Sequence, residues 1–288
     1  MLVAMSHEPE LPEIDALQGQ TASAALTLRY EDLAQDGRLK ADAVPFAMGE
    51  TCWRCLLVSH PLTQRLAREG IVPILRRLVV AADDTPLSTA ATLHSEGRFG
   101  LGVSRDAGGD RFLLELATEL SGPRGRTFAK VDRAGEVERV ARVYGEHVFT
   151  RLFAPPERRR VRELPEGLRV HAERAWLEPE DLLARDEATL LGSPIEREVR
   201  FSLVHTDSNQ HVNSLVYPRL FEELAAELFD QPLLARGFDV AFRKPCFAGE
   251  RASVFAQRVQ RASGRGARVW LQVAGEKRVR CAGRLWLR

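Results

Sequence analysis

The sequence of 288 residues has no apolar run near the roughly 18 residues that a membrane-spanning helix needs. Its N-terminal region, Met1 to about Gln20, is rich in Glu, Pro and Gln and lacks the basic and apolar segments of a signal peptide. Its four cysteines show no disulfide-framework spacing, which is typical of a reducing compartment. We therefore expect a cytoplasmic protein without a membrane partner, and a disordered tail over residues 1–22.

Charge of one sign is also lacking. The chain has 41 basic and 40 acidic residues, a net charge of +1, so nothing in its balance favours a nucleic-acid partner. There is no Gly-rich phosphate loop, no Gly-x-Ser-x-Gly elbow and no His-Glu-x-x-His pair. We accordingly expect neither a metal nor a cofactor. With 44% apolar residues the chain can build ample core, and its length suggests about two domains.

Each half of the chain shows the same order of predicted elements: a strand, a turn, a long amphipathic helix and then four strands. In the first half these are 24–31, 41–59, 71–82, 87–96, 112–120 and 126–132. In the second half they are 198–204, 214–229, 238–243, 252–261, 267–273 and 279–287. The repeated order indicates an internal duplication.

The two helices support this duplication. A shift of 173 positions places Pro45 on Pro218 and Glu50 on Glu223. A helix inserted after the first strand of an antiparallel sheet can bury its apolar stripe if the sheet wraps round it, which is the hotdog arrangement. We therefore predict an α+β chain with two hotdog units, residues 23–134 and 194–288, joined by a charged, proline-containing connector over residues 135–193. The two units could pair edge to edge, and a homodimer is possible.

The most informative stretch is Asp207-Ser-Asn-Gln-His-Val-Asn213, directly before the second long helix. Asp207, Asn209 and His211 place a carboxylate, an amide and an imidazole beside the amides of a helix N-terminus, groups suited to activating water and to stabilising an oxyanion. The same shift places Ala34, Asp36 and Arg38 opposite these three residues. Chemistry is therefore expected in the second unit.

This stretch, together with Tyr217 and Glu223, resembles the signature at the start of the second hotdog of plant and bacterial acyl-ACP thioesterases. Phe242-Arg243-Lys244-Pro245-Cys246 is similar to a second motif of that family, and Cys246 follows His211 by the family's 35 residues. The resemblance implies a thioesterase of fatty acid biosynthesis that takes acyl-ACP or acyl-CoA. One position departs from the family pattern, because Pro245 stands where the family has a catalytic glutamate. The segment 242–250, with Gly249-Glu250, is also similar to hydroxybenzoyl-CoA type thioesterases.

Eight residues are candidates for the site. The catalytic candidates are Asp207, Asn209, His211, Cys246 and Glu250, and the substrate-binding candidates are Asn213, Tyr217 and Glu223. All of them except Tyr217 have a structural alternative: helix capping for Asp207 and Asn213, a turn role for Asn209, and solvent exposure for Glu223 and Glu250. His211 could bond only to backbone, and the cysteine has no neighbouring cation to lower its pKa.

The cysteine pair and an arginine cluster each allow two interpretations, and two other functions have to be considered. Cys52-x-x-Cys55 lies in the predicted helix, where core packing competes with metal binding. The arginines at 158–160 and 162 could meet an acidic carrier protein or simply face solvent. A non-catalytic acyl-binding or scaffold protein would explain Pro245, whereas a hydroxyacyl dehydratase lacks support because its His-Phe-Pro type segment is absent.

Overall fold

The computed structural model describes residues 8–17, 19–106, 109–166, 168–186, 189–229, 231, 233–260 and 264–288. Contacts divide these residues into two compact units, Leu11–Trp176 and Leu177–Arg288, with residues 8–10 grouped with the second. Residues 1–7 and 18 of the expected tail, and Arg261 at the end of an expected strand, lie outside the described residues. Within the described part of the chain, no helix is long and apolar enough to cross a membrane.

Both units follow the predicted order of strand, helix and four strands. In the first unit the strands are β1 (Thr21–Thr27), β2 (Val72–Ala82), β3 (Thr92–Asp106), β4 (Gly109–Pro123), β5 (Val137–Thr150) and the short β6 (Ala172–Glu173). Its helices are α1 (Pro45–Met48), continued by a π-helix over Gly49–Leu57, and α2 (Pro61–Arg68). The second unit contains α3 (Pro179–Ala184), β7 (Leu190–Arg200), α4 (Val216–Phe229), β8 (Ala235–Phe242), β9 (Arg251–Gln260), β10 (Arg265–Val273) and β11 (Cys281–Leu287).

Each unit has an antiparallel sheet that packs on its helix. The strand order is β1-β3-β4-β5-β2 in the first unit and β8-β11-β10-β9-β7 in the second, and β6 pairs in parallel with β3. The π-helix contacts β1, β3 and β4, while α4 contacts β7, β8, β9 and β10. This is the predicted tandem hotdog.

Helix α4 forms because its apolar residues recur on one face. Tyr217, Phe221, Leu224 and Leu228 are buried, whereas Glu223 on the other side is exposed. Pro218 lies in the first turn, where a missing backbone N–H costs the helix nothing.

In the first unit the helical segment approaches the sheet so closely that β3 needs glycine. A Cβ on Gly97 would lie 2.8 Å from Cys52 Sγ and 2.8 Å from Thr51 Cγ2. A buried hydrogen bond of 2.7 Å between the hydroxyls of Thr51 and Ser95 fixes this approach. The helical segment and β3 are therefore in direct contact at Gly97, with no space for a side chain between them.

The duplication extends to single hydrogen bonds when the chain is shifted by 173 positions. The 3-10 turn Tyr30–Asp32 matches the turn Leu203–His205. The bridge Leu33–Leu39 matches the bridge Thr206–Val212. Gly37, with φ +86°, matches Gln210, with φ +64°. A repeat of this detail confirms the predicted duplication.

Three sequence expectations are wrong in part. Residues 126–132 form no strand, and β3 begins at Thr92 and continues to 106, well past the expected end at 96. The connector was expected to begin at 135, but Val137–Thr150 is a full strand of the first sheet. The charged residues of this segment suggested solvent exposure. Glu146 is instead buried, in an ion pair with Arg76.

The N-terminal segment also differs from the expected disordered tail. Ile14 is buried against Val79 and Tyr144, and β1 begins at Thr21, inside the range expected to be disordered. The segment covers apolar surface on the face of the first sheet opposite its helix. An isoleucine can provide this burial even within a stretch rich in Glu and Pro.

Candidate active site

A tight turn brings together the polar residues predicted for the site. The Asp207 N–H donates to the His211 carbonyl at 3.1 Å, and the Gln210 N–H donates to the Asp207 carbonyl at 3.0 Å. Gln210 adopts a positive φ of 64°, a conformation that costs a non-glycine residue about 1–2 kcal/mol. Glycine stands at the matched position of the first copy, so the second copy keeps the turn shape at an energetic cost.

Asp207 is held in place by two hydrogen bonds and lies near the His211 ring. Its Oδ1 accepts the Asn209 N–H at 2.9 Å, and its Oδ2 accepts the Asn213 side-chain amide at 3.2 Å. The His211 Nδ1 lies 3.9 Å from Asp207 Oδ1, and the side chains of Asp207 and His211 are 26% and 35% exposed. Both groups are therefore partly desolvated and still accessible.

The position of the His211 ring fixes its tautomer. Nδ1 lies 3.3 Å from the Val212 carbonyl oxygen, which can only accept. Nδ1 therefore carries the proton in the neutral ring, and Nε2 keeps the lone pair. An imidazole in this tautomer can act as a general base through Nε2.

Asn213 joins the turn to helix α4. Its Oδ1 accepts the Leu215 N–H at 2.9 Å, its carbonyl accepts the Val216 N–H at 3.0 Å, and its side-chain amide donates to Asp207. It thus caps the helix and orients Asp207 with the same side chain. The amides of Leu215 and Val216 are occupied, so these two cannot hold an oxyanion as expected of the helix start.

The comparisons agree with this architecture. No protein-family model matches the sequence, and no curated protein matches it. The structure is similar to that of an acyl-ACP thioesterase from Bacteroides thetaiotaomicron, with TM-score 0.61 and 14% identity over 93% of this chain and 98% of that one. It is also similar to the 12:0-ACP thioesterase of Umbellularia californica, with TM-score 0.62 and 15% identity over 93% of this chain and 94% of that one. The chain has the double hotdog fold of these thioesterases.

In this double hotdog, Cys246 is buried and bonds to the residue that follows His211. Its carbonyl accepts the Val212 N–H at 2.8 Å, and its N–H donates to the Tyr217 hydroxyl at 2.9 Å. The side chain is fully buried, and burial raises the pKa of the thiol despite a nearby arginine. Burial disfavours the thiolate that a cysteine nucleophile needs, so these surroundings do not favour a nucleophilic role for Cys246.

Tyr217 acts as an anchor in the core. Its ring packs near Phe201 and Phe242, and its hydroxyl accepts the Cys246 N–H. Burial raises the pKa of this hydroxyl, so it stays protonated and acts through its hydrogen bonds. Its buried contacts make Tyr217 a structural support of the turn. Its expected contact with substrate stays a prediction.

The two glutamates of the prediction are both engaged elsewhere. Glu250 accepts two hydrogen bonds from Arg280, at 2.7 and 3.0 Å, and one from the Phe247 N–H at 2.8 Å. Burial opposes ionisation, but these bonds outweigh it and hold the pKa of Glu250 below its usual value. Glu223 lies on the exposed side of α4, near Arg197. Glu250 is therefore not placed as a free base, and Glu223 has the solvent exposure named as the alternative to its substrate-binding role.

Two residues near the turn were missed by the sequence reasoning. The His205 Nδ1 accepts the Ser202 N–H at 2.9 Å, and its carbonyl accepts the Asn213 N–H at 2.9 Å. Arg280 is buried at 3% exposure against the loop that carries Cys246. The closeness of His205 to Asp207 in sequence was a usable signal, whereas nothing in the sequence links Arg280 to the turn.

Only one sulfur of the cysteine pair lies in the core, and two of the arginines at 158–160 and 162 bond to backbone. Cys52 is buried with its sulfur 3.3 Å from the Thr118 hydroxyl, while Cys55 is exposed. Among the described residues no group of three or more His, Cys, Asp or Glu is placed to hold a metal ion. Arg159 and Arg160 donate to backbone carbonyls of their own unit.

Proposed function

We propose that the protein hydrolyses fatty acyl thioesters, carried by acyl carrier protein or by coenzyme A, to free fatty acids. One observation carries the proposal: Asp207, Asn209 and His211 meet in a single turn at the start of the second hotdog helix, with Asp207 and His211 partly buried and Asn209 exposed. The similar solved structures include acyl-ACP thioesterases, which supports this substrate class. The similarity extends over 93% of this chain in both cases, so the proposal concerns both hotdog units together.

In the proposed reaction His211 acts as the general base. Its Nε2 takes a proton from a water molecule, which attacks the thioester carbonyl carbon. Asp207, 3.9 Å from Nδ1, stabilises the imidazolium that forms. The tetrahedral intermediate then breaks its carbon–sulfur bond, and His211 returns the proton to the departing sulfur.

Asn209 is the donor that we assign to the oxyanion. Its side chain is exposed at the turn, and its backbone N–H is already bonded to Asp207, so the carboxamide is the group that can reach a substrate oxygen. A single oriented donor of this kind contributes about 3–4 kcal/mol to transition-state stabilisation in well-studied hydrolases. Thioester hydrolysis needs little more than such positioning and charge stabilisation.

The test compares the wild-type protein with His211→Ala and Asp207→Ala on acyl-ACP and acyl-CoA substrates of increasing chain length. Loss of a general base should lower kcat by about 100-fold to 10,000-fold. Ser208→Ala is the matched control, because Ser208 is exposed in the same turn and has no assigned role. Its kcat should stay near that of the wild type. The preferred carrier follows from the ratio of kcat/KM values for the two substrate series.

A non-catalytic acyl-binding protein is the second candidate. Pro245 in place of the family's glutamate and the engagement of Glu250 by Arg280 favour it. This function predicts the same background hydrolysis in the wild type and both alanine variants. It also predicts saturable binding of an acyl thioester without turnover, which isothermal titration measures.

A further inference from the structure

Arg280 uses every N–H of a buried guanidinium. Its Nε and Nη2 donate to Glu276, each at 2.8 Å, and its Nη1 and Nη2 donate to Glu250 at 2.7 and 3.0 Å. The fifth N–H donates to the Pro245 carbonyl at 2.8 Å. One side chain therefore fixes both ends of the loop 245–250.

This loop supports the turn that carries the candidate catalytic groups. Pro245 is followed by Cys246, whose carbonyl accepts the Val212 N–H at 2.8 Å. Val212 is the residue after His211, and its own carbonyl is the acceptor near the His211 Nδ1. A short path of backbone contacts thus joins the Arg280 guanidinium to the His211 ring.

The first copy of the repeat offers an internal comparison. In both copies the residue after the matched strand donates to a carbonyl across the sheet: Asp83 to Val140 at 2.9 Å, and Arg243 to Arg280 at 2.8 Å. Val140 is therefore the counterpart of Arg280, and it is buried and apolar. The first unit, which lacks the residues Asp207, Asn209 and His211, has Val140 at this position. The second unit, which contains them, has Arg280.

The hotdog fold as such does not require an arginine at this position. Desolvating a guanidinium and carboxylates is costly, and replacing buried ion pairs with well-packed apolar residues is often neutral or stabilising. The first copy shows that a hotdog unit of this chain accommodates valine at this position. What the arginine adds is the fixed placement of one loop.

We propose that Arg280 is a positioning residue of the site, which holds loop 245–250 beneath the turn and thereby sets the orientation of His211. The predicted changes in kcat and KM rest on the proposed function. The predicted change in Val212 hydrogen exchange does not. Arg280 itself contacts no substrate in this assignment, because it is buried behind the loop.

The experiment uses the full chain with Arg280→Gln and Arg280→Lys. The matched control is Arg284→Gln, four residues after Arg280 on strand β11. It breaks the bidentate pair of Arg284 with the buried Asp186 and removes no contact of the loop. Melting temperature, kcat, KM and the hydrogen exchange rate of the Val212 amide are measured for each variant. The amide rate reports the Val212–Cys246 hydrogen bond directly and needs no activity.

We expect Arg280→Gln to lower kcat by about 10-fold to 100-fold with KM nearly unchanged, since a small misplacement of a catalytic group has this effect. The Val212 amide should exchange about 10-fold faster or more. Arg280→Lys keeps the charge and part of the bonding, so it should recover part of both. Arg284→Gln should lower the melting temperature and leave kcat and the Val212 exchange rate unchanged.

The inference is wrong if Arg280→Gln and Arg284→Gln lower the melting temperature alike and both leave Val212 exchange at the wild-type rate. If Arg280→Gln does not fold, Arg280→Lys decides by the same readouts. If the wild type hydrolyses no thioester, the proposed function fails. Faster Val212 exchange in the Arg280 variants alone would still support the positioning role.

Discussion

Cys246 and His211 lie close together in the chain's second unit but in different surroundings. The thiol is fully buried and its pKa is raised, mainly by desolvation, whereas the imidazole is about one third exposed. A nucleophile or base has to reach the substrate in its reactive protonation state. Water activation by His211 therefore fits the site better than covalent catalysis by Cys246.

Cys246→Ala should accordingly keep kcat/KM within about threefold of the wild type, because the thiol does not form the thiolate that covalent catalysis needs. The substitution should lower the free energy of unfolding by about 1 kcal/mol through the small cavity left behind. Steady-state kinetics and urea unfolding measure the two effects. A fall in kcat/KM of about 100-fold or more in a folded variant would instead identify the cysteine as a nucleophile.

At the scale of elements, the start of α4 has a structural role and, under the proposed function, a chemical one. Asn213 caps the helix through its oxygen and orients Asp207 through its nitrogen. Both tasks fall to one carboxamide because the turn and the helix follow each other without a linker. The cap is the structural role expected for Asn213, and the bond to Asp207 adds to it.

The two tasks can be separated by substitution. Asn213→Asp keeps a capping oxygen, but it cannot donate to Asp207 and repels its carboxylate. The kcat should therefore fall, while the free energy of unfolding falls less than in Asn213→Ala, which also loses the cap. Asn213→Ala should lose kcat and also about 1 kcal/mol of stability. Lys40→Ala, at the matched position of the first copy, is the control and should affect neither kcat nor the cap of α4. Equal kcat in Asn213→Asp and the wild type would exclude an orienting role for Asn213.

At the scale of the whole molecule, duplication has produced two copies of one turn with different contents. In the first copy Arg38 pairs with Asp36 at 2.8 Å and with Asp84 at 3.0 Å, both partly exposed. The position matching His211 therefore serves an ion pair. Catalysis is expected in one copy only, and the other retains the backbone geometry.

Arg38→Ala tests this asymmetry against His211→Ala at the matched position. Surface ion pairs contribute about 0–1 kcal/mol, so the melting temperature should change little and kcat should stay at the wild-type value. The His211 variant should lose kcat by the factor given above. A comparable loss in both variants, measured on the same acyl thioester, would show that the first turn also takes part in the reaction.

The order of elements, the duplication and the polar turn were all predictable because they depend on local patterns. Helix α4 follows from its apolar stripe, and strands β8 to β11 follow from alternation between turn residues. The turn at 207–213 was found because its polar residues are adjacent in sequence. Strand β5 was missed because Glu146 and its charged neighbours are typical of a solvated connector. Only the structure shows that Arg76, on strand β2, pairs with Glu146.

The sequence by itself therefore determined the double hotdog order and placed Asp207, Asn209 and His211 at one helix start. Only the tertiary structure decided that Cys246 is buried, that Glu250 is bound, and that Arg280 lies beneath the turn. The reason is physical. Burial and ion pairing depend on residues brought together from distant parts of the chain, and no local pattern records which partner a charge will find.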